Sequence, residues 1–345
     1  MKALVMEAVG KPMVVKDFPQ PECPPDAAIV RVQACGICRS DWHMWMGDWS
    51  WIGFSSHLPT VLGHEFAGVI EEVGKDVKKL KRGDRVVAPL SQACGTCEDC
   101  TSGHSNLCFG GSSAGGFGQF ARLGYADYNT VKLSEAIDFV AGASMGCRYV
   151  TAYHAIMDQA RVKADESVVI YGCGGVGLSA AQIAASAGAR VIAVDLDDRK
   201  LELARRAGAT DVVNAKTTDP VAAVKELTHG GAHVSVDALG IAATCQNAML
   251  SLRKLGRHVQ IGLTTQKEKG QVALPIDLIV LAELQIMGSS SIPTWRYPAM
   301  LEMVERGKLA PKQLVTNTIA LDQAFDVIDQ MSRFENVGIS VIDRF

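Results

Sequence analysis

The chain has 345 residues, 48% of them apolar and 21% charged, a balance that suits about two ordinary globular domains. Its 34 Lys and Arg against 37 Asp and Glu leave a net charge of −3, which excludes a basic footprint for nucleic acid or an anionic membrane. No apolar run reaches the roughly 18 residues of a membrane span.

The first 21 residues carry Gly10 and Pro12 where an export signal needs an unbroken apolar core. A reducing cytoplasm is therefore the expected location. In that compartment ten cysteines, four of them clustered, read as metal ligands rather than disulfides.

Residues 1 to about 148 are rich in short Val and Ile runs, Gly and Pro. Runs at 27–35, 68–74 and 84–90 read as strands of a mostly antiparallel β domain. The segment 35–43 contains Cys35, Cys38, Ser40, Asp41 and His43, and the segment 63–68 contains His64 and Glu65. Trp42, Trp45, Trp49 and Trp51 crowd the ten residues 42–51, between Cys38 and His64. Cys94, Cys97, Cys100 and Cys108 follow with the spacing C-x2-C-x2-C-x7-C. Four thiolates on one short loop close a tetrahedron around a Zn2+ ion. A closed shell leaves no place for a substrate, so this lobe, at about residues 92–110, is expected to be structural. Chemistry must lie elsewhere. Cys38, His64 and Cys147 can supply a set of two thiolates and one imidazole with one open position. Spacing alone leaves open whether each is a ligand, a buried filler cysteine or a hydrogen-bonded core histidine.

The character changes near Met145. From Thr151 strands at 167–172, 190–195, 211–215, 233–239, 257–263 and 284–290 alternate with helical segments at 175–189, 198–209, 221–231 and 243–256. This βαβ alternation predicts a doubly wound parallel sheet. Gly172, Gly174, Gly175, Val176 and Gly177 lie in a G-x-G-x-x-G turn between the first strand and its helix. Gly172 permits the tight turn, Gly174 lets the backbone approach a pyrophosphate, and Gly177 allows helix to pack on strand. Asp195 stands 18 residues after Gly177 at the end of the next strand, placed to bond both ribose hydroxyls. A carboxylate there repels the 2′-phosphate of NADP and favours NAD. Helices at 296–307 and 322–331 finish the chain, too short a stretch for a third domain. The expected division is 1–148 with 291–345, and 149–290.

Taken together, these segments resemble the zinc-dependent medium-chain dehydrogenase/reductase family, alcohol dehydrogenase type. The resemblance spans essentially the whole chain, and the ordered set of motifs is its specific part. It implies an α/β fold class: a mostly-β GroES-like catalytic domain carrying the structural-zinc lobe, plus a Rossmann domain holding NAD(H). It places the catalytic-zinc ligands at Cys38, His64 and Cys147. Glu65 matches the acid beside the metal, an alternative or transient ligand during water exchange, and Asp41 the carboxylate that orients the zinc histidine. Ser40 and His43 match the proton relay, and Lys200 the basic residue near the adenosine ribose. The activity implied is hydride transfer between an alcohol and NAD+, in a homo-oligomer, tetramer favoured, with small alcohol, aldehyde or ketone partners. A polyol, threonine or other specialised zinc dehydrogenase is the alternative, and Cys147 weighs mildly against a polyol. Aromatic walls from the tryptophan cluster suit a bulky or aryl substrate. Two positions depart from the pattern: Gln119 where relatives often carry an acid, and Ile339 where some carry an arginine.

Overall fold

The computed structural model describes residues 1–345 except Phe54, Ser56, Phe109 and Ser112. They divide into two compact units, Met1–Val150 with Ser291–Gly307 and Val315–Phe345, and Thr151–Ser290 with Lys308–Leu314.

The first unit is built on a seven-stranded sheet. Its order is Val315–Ala320, Ile339–Arg344, Ala28–Gly36, Glu65–Val73, Arg85–Val87, Val131–Lys132, with Phe120–Leu123 also paired to Ala28–Gly36. Every pair is antiparallel except Val315–Ala320 with Ile339–Arg344. A three-stranded sheet centred on Lys2–Met6 completes the core, where Leu4, Met6, Val30, Phe66, Ile70 and Phe117 are buried together. The helix Ala324–Met331 turns Ala324, Val327, Ile328 and Met331 onto that core. Their spacing of i, i+3, i+4 and i+7 makes one apolar stripe, and burying each large side chain contributes about 1.5–3 kcal/mol.

Two irregular segments of this unit matter for chemistry. The helix Arg39–Met46 begins directly after the central strand, with Cys38 in extended conformation as its N-cap, and ends at Gly47 in the left-handed region. Met145–Tyr149 forms a π-helical turn, a widened geometry frequent at functional sites.

The second unit is a six-stranded, all-parallel sheet. Its order is Asp211–Asn214, Arg190–Asp195, Ser167–Tyr171, Ala232–Asp237, Leu252–Gln260, Gln285–Gly288. Counted along this unit the order is 3-2-1-4-5-6, the doubly wound arrangement whose ligand crevice opens outside the strand ends where the order reverses. Asp197 caps the helix Asp198–Arg206, and Asp219 with Pro220 starts the helix Pro220–Leu227. The expected helix over 243–256 stops at Leu250, and a strand begins at Leu252. Lys308–Leu314, expected in the first domain with the rest of 291–345, groups instead with this unit. The Gln182 side chain donates to the Ala310 carbonyl and accepts from its amide, both at 3.1 Å, which ties the segment to the helix Gly175–Ser186. Among the described residues no helix is long and apolar enough to cross a membrane.

Candidate active site and metal centres

Cys38, His64, Glu65 and Cys147 come together in the first unit. All four are buried, and their ligand atoms lie within 4.8 Å of one another. Cys38 Sγ and Cys147 Sγ are 4.0 Å apart. The neighbouring Cys147 thiol is the largest influence holding Cys38 well below the ordinary thiol range. Asp41 is the brace behind this group. Its Oδ2 accepts the Cys38 amide at 2.9 Å, and its Oδ1 accepts the Gly63 amide at 3.1 Å and pairs with His64 Nδ1 at 3.0 Å. One helix-capping carboxylate thus fixes both a cysteine and a histidine. With Nδ1 engaged, His64 Nε2 is buried without a hydrogen-bond partner among the described residues. An orphan imidazole nitrogen beside two sulfurs is costly unless something electrophilic meets it. Two soft thiolates and one imidazole are a donor set that suits Zn2+, so the residues present fit that ion.

Glu65 is fully buried and faces Gly36 across the ladder. Its Oε1 accepts the backbone amides of Cys147 at 3.1 Å and Arg148 at 3.0 Å, and Arg148 Nε at 3.0 Å. Arg148 Nη2 pairs with the second oxygen, and Nη1 donates to the Ile37 carbonyl at 2.9 Å. Burial pushes the Glu65 carboxyl above its ordinary value, with the Arg148 charge opposing.

Ser40 is half-buried, its Oγ 3.6 Å from Cys38 Sγ. His43 is buried on the same helix, its Nδ1 2.6 Å from Asp48 Oδ2. Its ring stacks on Trp49 with centroids 4.5 Å apart and planes at 17°. Burial lowers the His43 pKa below its ordinary value, while Asp48 raises it. No hydrogen bond among the described residues joins Ser40 to His43.

The tryptophan cluster divides. Trp45 packs into the core of the first unit, against Phe325 and the Lys11 carbonyl. Trp42 donates to Ser332 Oγ at 2.8 Å and carries the Arg39 guanidinium on its face. These two rings hold the C-terminal helix. Trp49 braces His43, and Trp51 stands exposed at the surface.

Cys94, Cys97, Cys100 and Cys108 form a second cluster, again with sulfurs within 4.8 Å of one another. The Cys97–Cys108 and Cys94–Cys108 separations are 3.6 and 3.7 Å, close to the about 3.8 Å edge of a tetrahedron with zinc–sulfur bonds of about 2.3 Å. Backbone amides of Cys97, Gly95 and Gly110 donate to Cys94, Cys100 and Cys108 at 3.4, 3.3 and 3.2 Å. Such donors favour thiolates, and those on Cys94, with Thr96 foremost, bring it down to about 6. His104 stands exposed beside the cluster and is outside the four-sulfur set. The lobe is pinned by Trp295 Nε1 on the Gly103 carbonyl at 2.9 Å and by Ser105 Oγ on the Thr294 amide at 3.0 Å.

In the second unit, a Cβ at Gly177 would lie 1.8 Å from the Gly172 carbonyl, whereas one at Gly174 would meet nothing within 4 Å. The first glycine is needed for packing; the second keeps an open cradle. Gly175, Val176 and Gly177 open the helix and present amides without intrahelical partners. Asp195 reaches back over this turn. Its Oδ2 accepts the Cys173 amide at 2.7 Å and its Oδ1 the amides of Leu196 and Asp197 at 2.7 and 3.0 Å. Oδ2 keeps a lone pair for a hydroxyl. Lys200 is half-buried in the first turn of the next helix. Cradle, helix start and acid fit a dinucleotide.

Residues 24–138 match the family described as "Alcohol dehydrogenase GroES-like domain", and residues 175–306 match "Zinc-binding dehydrogenase". An alcohol dehydrogenase of Geobacillus stearothermophilus is 38% identical over 348 positions, 99% of each chain. The chain belongs to the zinc-dependent medium-chain alcohol dehydrogenase family. An NAD-dependent alcohol dehydrogenase of Sulfurisphaera tokodaii is 33% identical over 353 positions, 99% of each chain. The benzyl alcohol dehydrogenase structure from Acinetobacter calcoaceticus matches with a TM-score of 0.90 at 28% identity, covering 100% of this chain and 99% of that one. As a family member the chain is an oxidoreductase of alcohol dehydrogenase type that uses zinc and NAD(H), with a GroES-like first unit and a Rossmann second unit.

Two residues around this candidate site carry no motif signal. Arg148 directly follows Cys147, and Asp48 follows His43 by five residues. Gln119 Oε1 accepts the Lys2 amide at 2.9 Å, a local packing contact. Ile339 is fully buried at the start of a strand.

Proposed function

We propose that the chain interconverts an alcohol and its carbonyl compound at a catalytic zinc held by Cys38, His64 and Cys147, with NAD(H) on the Gly172–Gly177 turn and Asp195. The observation that carries this is the buried Cys38–His64–Cys147 group with a His64 Nε2 that has no hydrogen-bond partner among the described residues and Asp41 bonded behind it. Zinc supplies Lewis acidity there and NAD+ accepts the hydride. Asp41 holds the His64 tautomer so that Nε2 keeps its lone pair. Ser40 Oγ, next to Cys38, is the hydroxyl that receives the substrate proton. His43, kept neutral by burial, is the base that terminates the relay. Glu65 lies beside the metal ligands, and Lys200 accompanies Asp195 at the ribose. A second, structural zinc belongs to Cys94, Cys97, Cys100 and Cys108, giving two per chain. The first unit is then the catalytic domain and the second the cofactor domain.

A bulky or aryl alcohol is the proposed substrate class, supported by the Trp49 and Trp51 rings and by the likeness to a protein named benzyl alcohol dehydrogenase. We further propose a cytoplasmic homo-oligomer, tetramer favoured. Free cysteines support the first. Exposed Val280 and Leu281, at 68% and 81%, support the second, because apolar surface of that kind calls for a cover.

Metal analysis combined with an alcohol panel tests the reading. Two zincs per chain, NADH formed from aryl and other bulky alcohols, and weak use of NADP are expected. Full turnover after substitution of both Cys38 and Cys147 by Ser would sink it.

A further inference from the structure

Glu65 is close enough to the Cys38, His64 and Cys147 ligand atoms, all within 4.8 Å, to share an ion with them. A carboxylate that did so would take the position a substrate needs. Its environment points the other way. Arg148 grips both carboxylate oxygens, through Nε at 3.0 Å and through Nη2, while its own amide and that of Cys147 close on Oε1 at 3.0 and 3.1 Å. The guanidinium is anchored in turn on the Ile37 carbonyl at 2.9 Å. The surroundings are cut to this pair. A Cβ at Gly36 would meet Glu65 Oε2 at 2.3 Å and Arg148 Nη2 at 2.8 Å, and one at Gly146 would meet Glu65 Cα at 2.6 Å. Both side chains are buried, Glu65 at 0% and Arg148 at 5% exposure. A buried carboxylate must be paired, and among the described residues Arg148 is its ion-pair partner.

We propose that Arg148 is a positioning residue that clamps Glu65 and holds it out of the metal's coordination shell, keeping the fourth place open for substrate. The inference rests on the reading of Cys38, His64 and Cys147 as the catalytic-zinc ligands. Its logic is competition for one buried carboxylate. A fork-shaped guanidinium satisfies both oxygens in a fixed plane. With that fork removed, the remaining cation within reach is the metal, and Glu65 swings onto it. Arg148 acts through Glu65 and never touches substrate. A merely structural ion pair would cost stability on removal and leave coordination alone.

Cobalt in place of zinc separates these cases, because its visible bands shift when the fourth ligand changes and respond to added imidazole only where that place is open to exchange. The four-cysteine lobe contributes equally to every variant and cancels in difference spectra. In Arg148→Met the bands are expected to shift from their wild-type positions and to stop responding to imidazole, with kcat/KM for alcohols falling about 10–100-fold. Adding Glu65→Gln to that variant is expected to restore the wild-type bands, since the competing carboxylate is gone. Removing both charges together also avoids an unpaired buried charge, so the double variant can be read even if Arg148→Met alone fails to fold. Glu65→Gln by itself leaves the bands unchanged if Glu65 is held off the metal in the native protein. The clamp is overturned by folded Arg148→Met with wild-type bands, by a double variant that keeps the shifted bands, or by altered bands in Glu65→Gln alone. Unaltered cobalt bands in Cys38→Ser would instead remove the metal-site reading, and the clamp with it.

Discussion

His43 has its ring nitrogen on Asp48 and its face on Trp49, and this pair of contacts sets how it titrates. Burial lowers its pKa and Asp48 raises it. Asp48→Asn removes the raising influence, so the pKa falls further. The acid limb of kcat/KM, which reports the free-enzyme base, is then expected to move to lower pH, with a smaller plateau from a weaker base. A pH–rate profile with an unmoved limb would contradict the relay role. The same burial fixes the sign of His43's contribution to stability. Below about pH 6.5 an unfolded histidine takes a proton that the folded site refuses, so that contribution falls with falling pH. Trp49→Ala is expected to change relative rates across an alcohol panel and to lower kcat through the loosened imidazole, with NAD affinity retained. Equal losses for every alcohol and for NAD affinity would assign the ring to general packing.

At the scale of elements, glycines decide where backbones meet. Gly177→Ala would drive a Cβ to 1.8 Å from the Gly172 carbonyl, and something must move. A loss of about 1–3 kcal/mol and weaker NADH binding are expected, with zinc content unchanged, by thermal unfolding, fluorescence titration and metal analysis. The Gly172–Gly177 turn, the spacing of the four lobe cysteines and the βαβ alternation are legible in the chain because each is local. The spacing of a few residues on one loop or one strand–turn–helix unit carries the whole signal. The Cys38, His64 and Cys147 group is not local. Bare spacing leaves it undecided, and motif order in a known family supplies what separation hides. Arg148 and Asp48 are illegible for a related reason: nothing in their neighbours announces that one spans to Glu65, from strand to π turn, or that the other meets a buried imidazole. Strand Leu252–Gln260 starts inside an expected helix because LSLRKLG carries helix-forming residues, and pairing with Ala232–Asp237 overrides that propensity. Segment Lys308–Leu314 groups apart from its flanks and shares a two-way Gln182–Ala310 bond with its unit, which no periodicity encodes.

At the scale of the whole molecule, the two candidate metal clusters differ in what their loss would do. Cys97→Ser opens the lobe pinned by Trp295 and Ser105. Expected are one zinc fewer per chain and a lower melting temperature, with activity per remaining zinc largely kept at moderate temperature. Activity vanishing in a fully folded variant would show that the lobe serves catalysis directly. Light scattering checks the oligomer, and replacing Val280 and Leu281 by Ser is expected to loosen it. Asp41 has a wider consequence. Because one carboxylate starts a helix and aims a histidine, completing the fold of the first unit also sets the geometry of its ligands. If Cys38, His64 and Cys147 are the ligands proposed above, a folded chain therefore offers a finished receptor to the first suitable ion it meets, and loading requires little rearrangement. A chain whose opening turn has frayed offers none, so the capacity to take up metal doubles as a check on the quality of the fold.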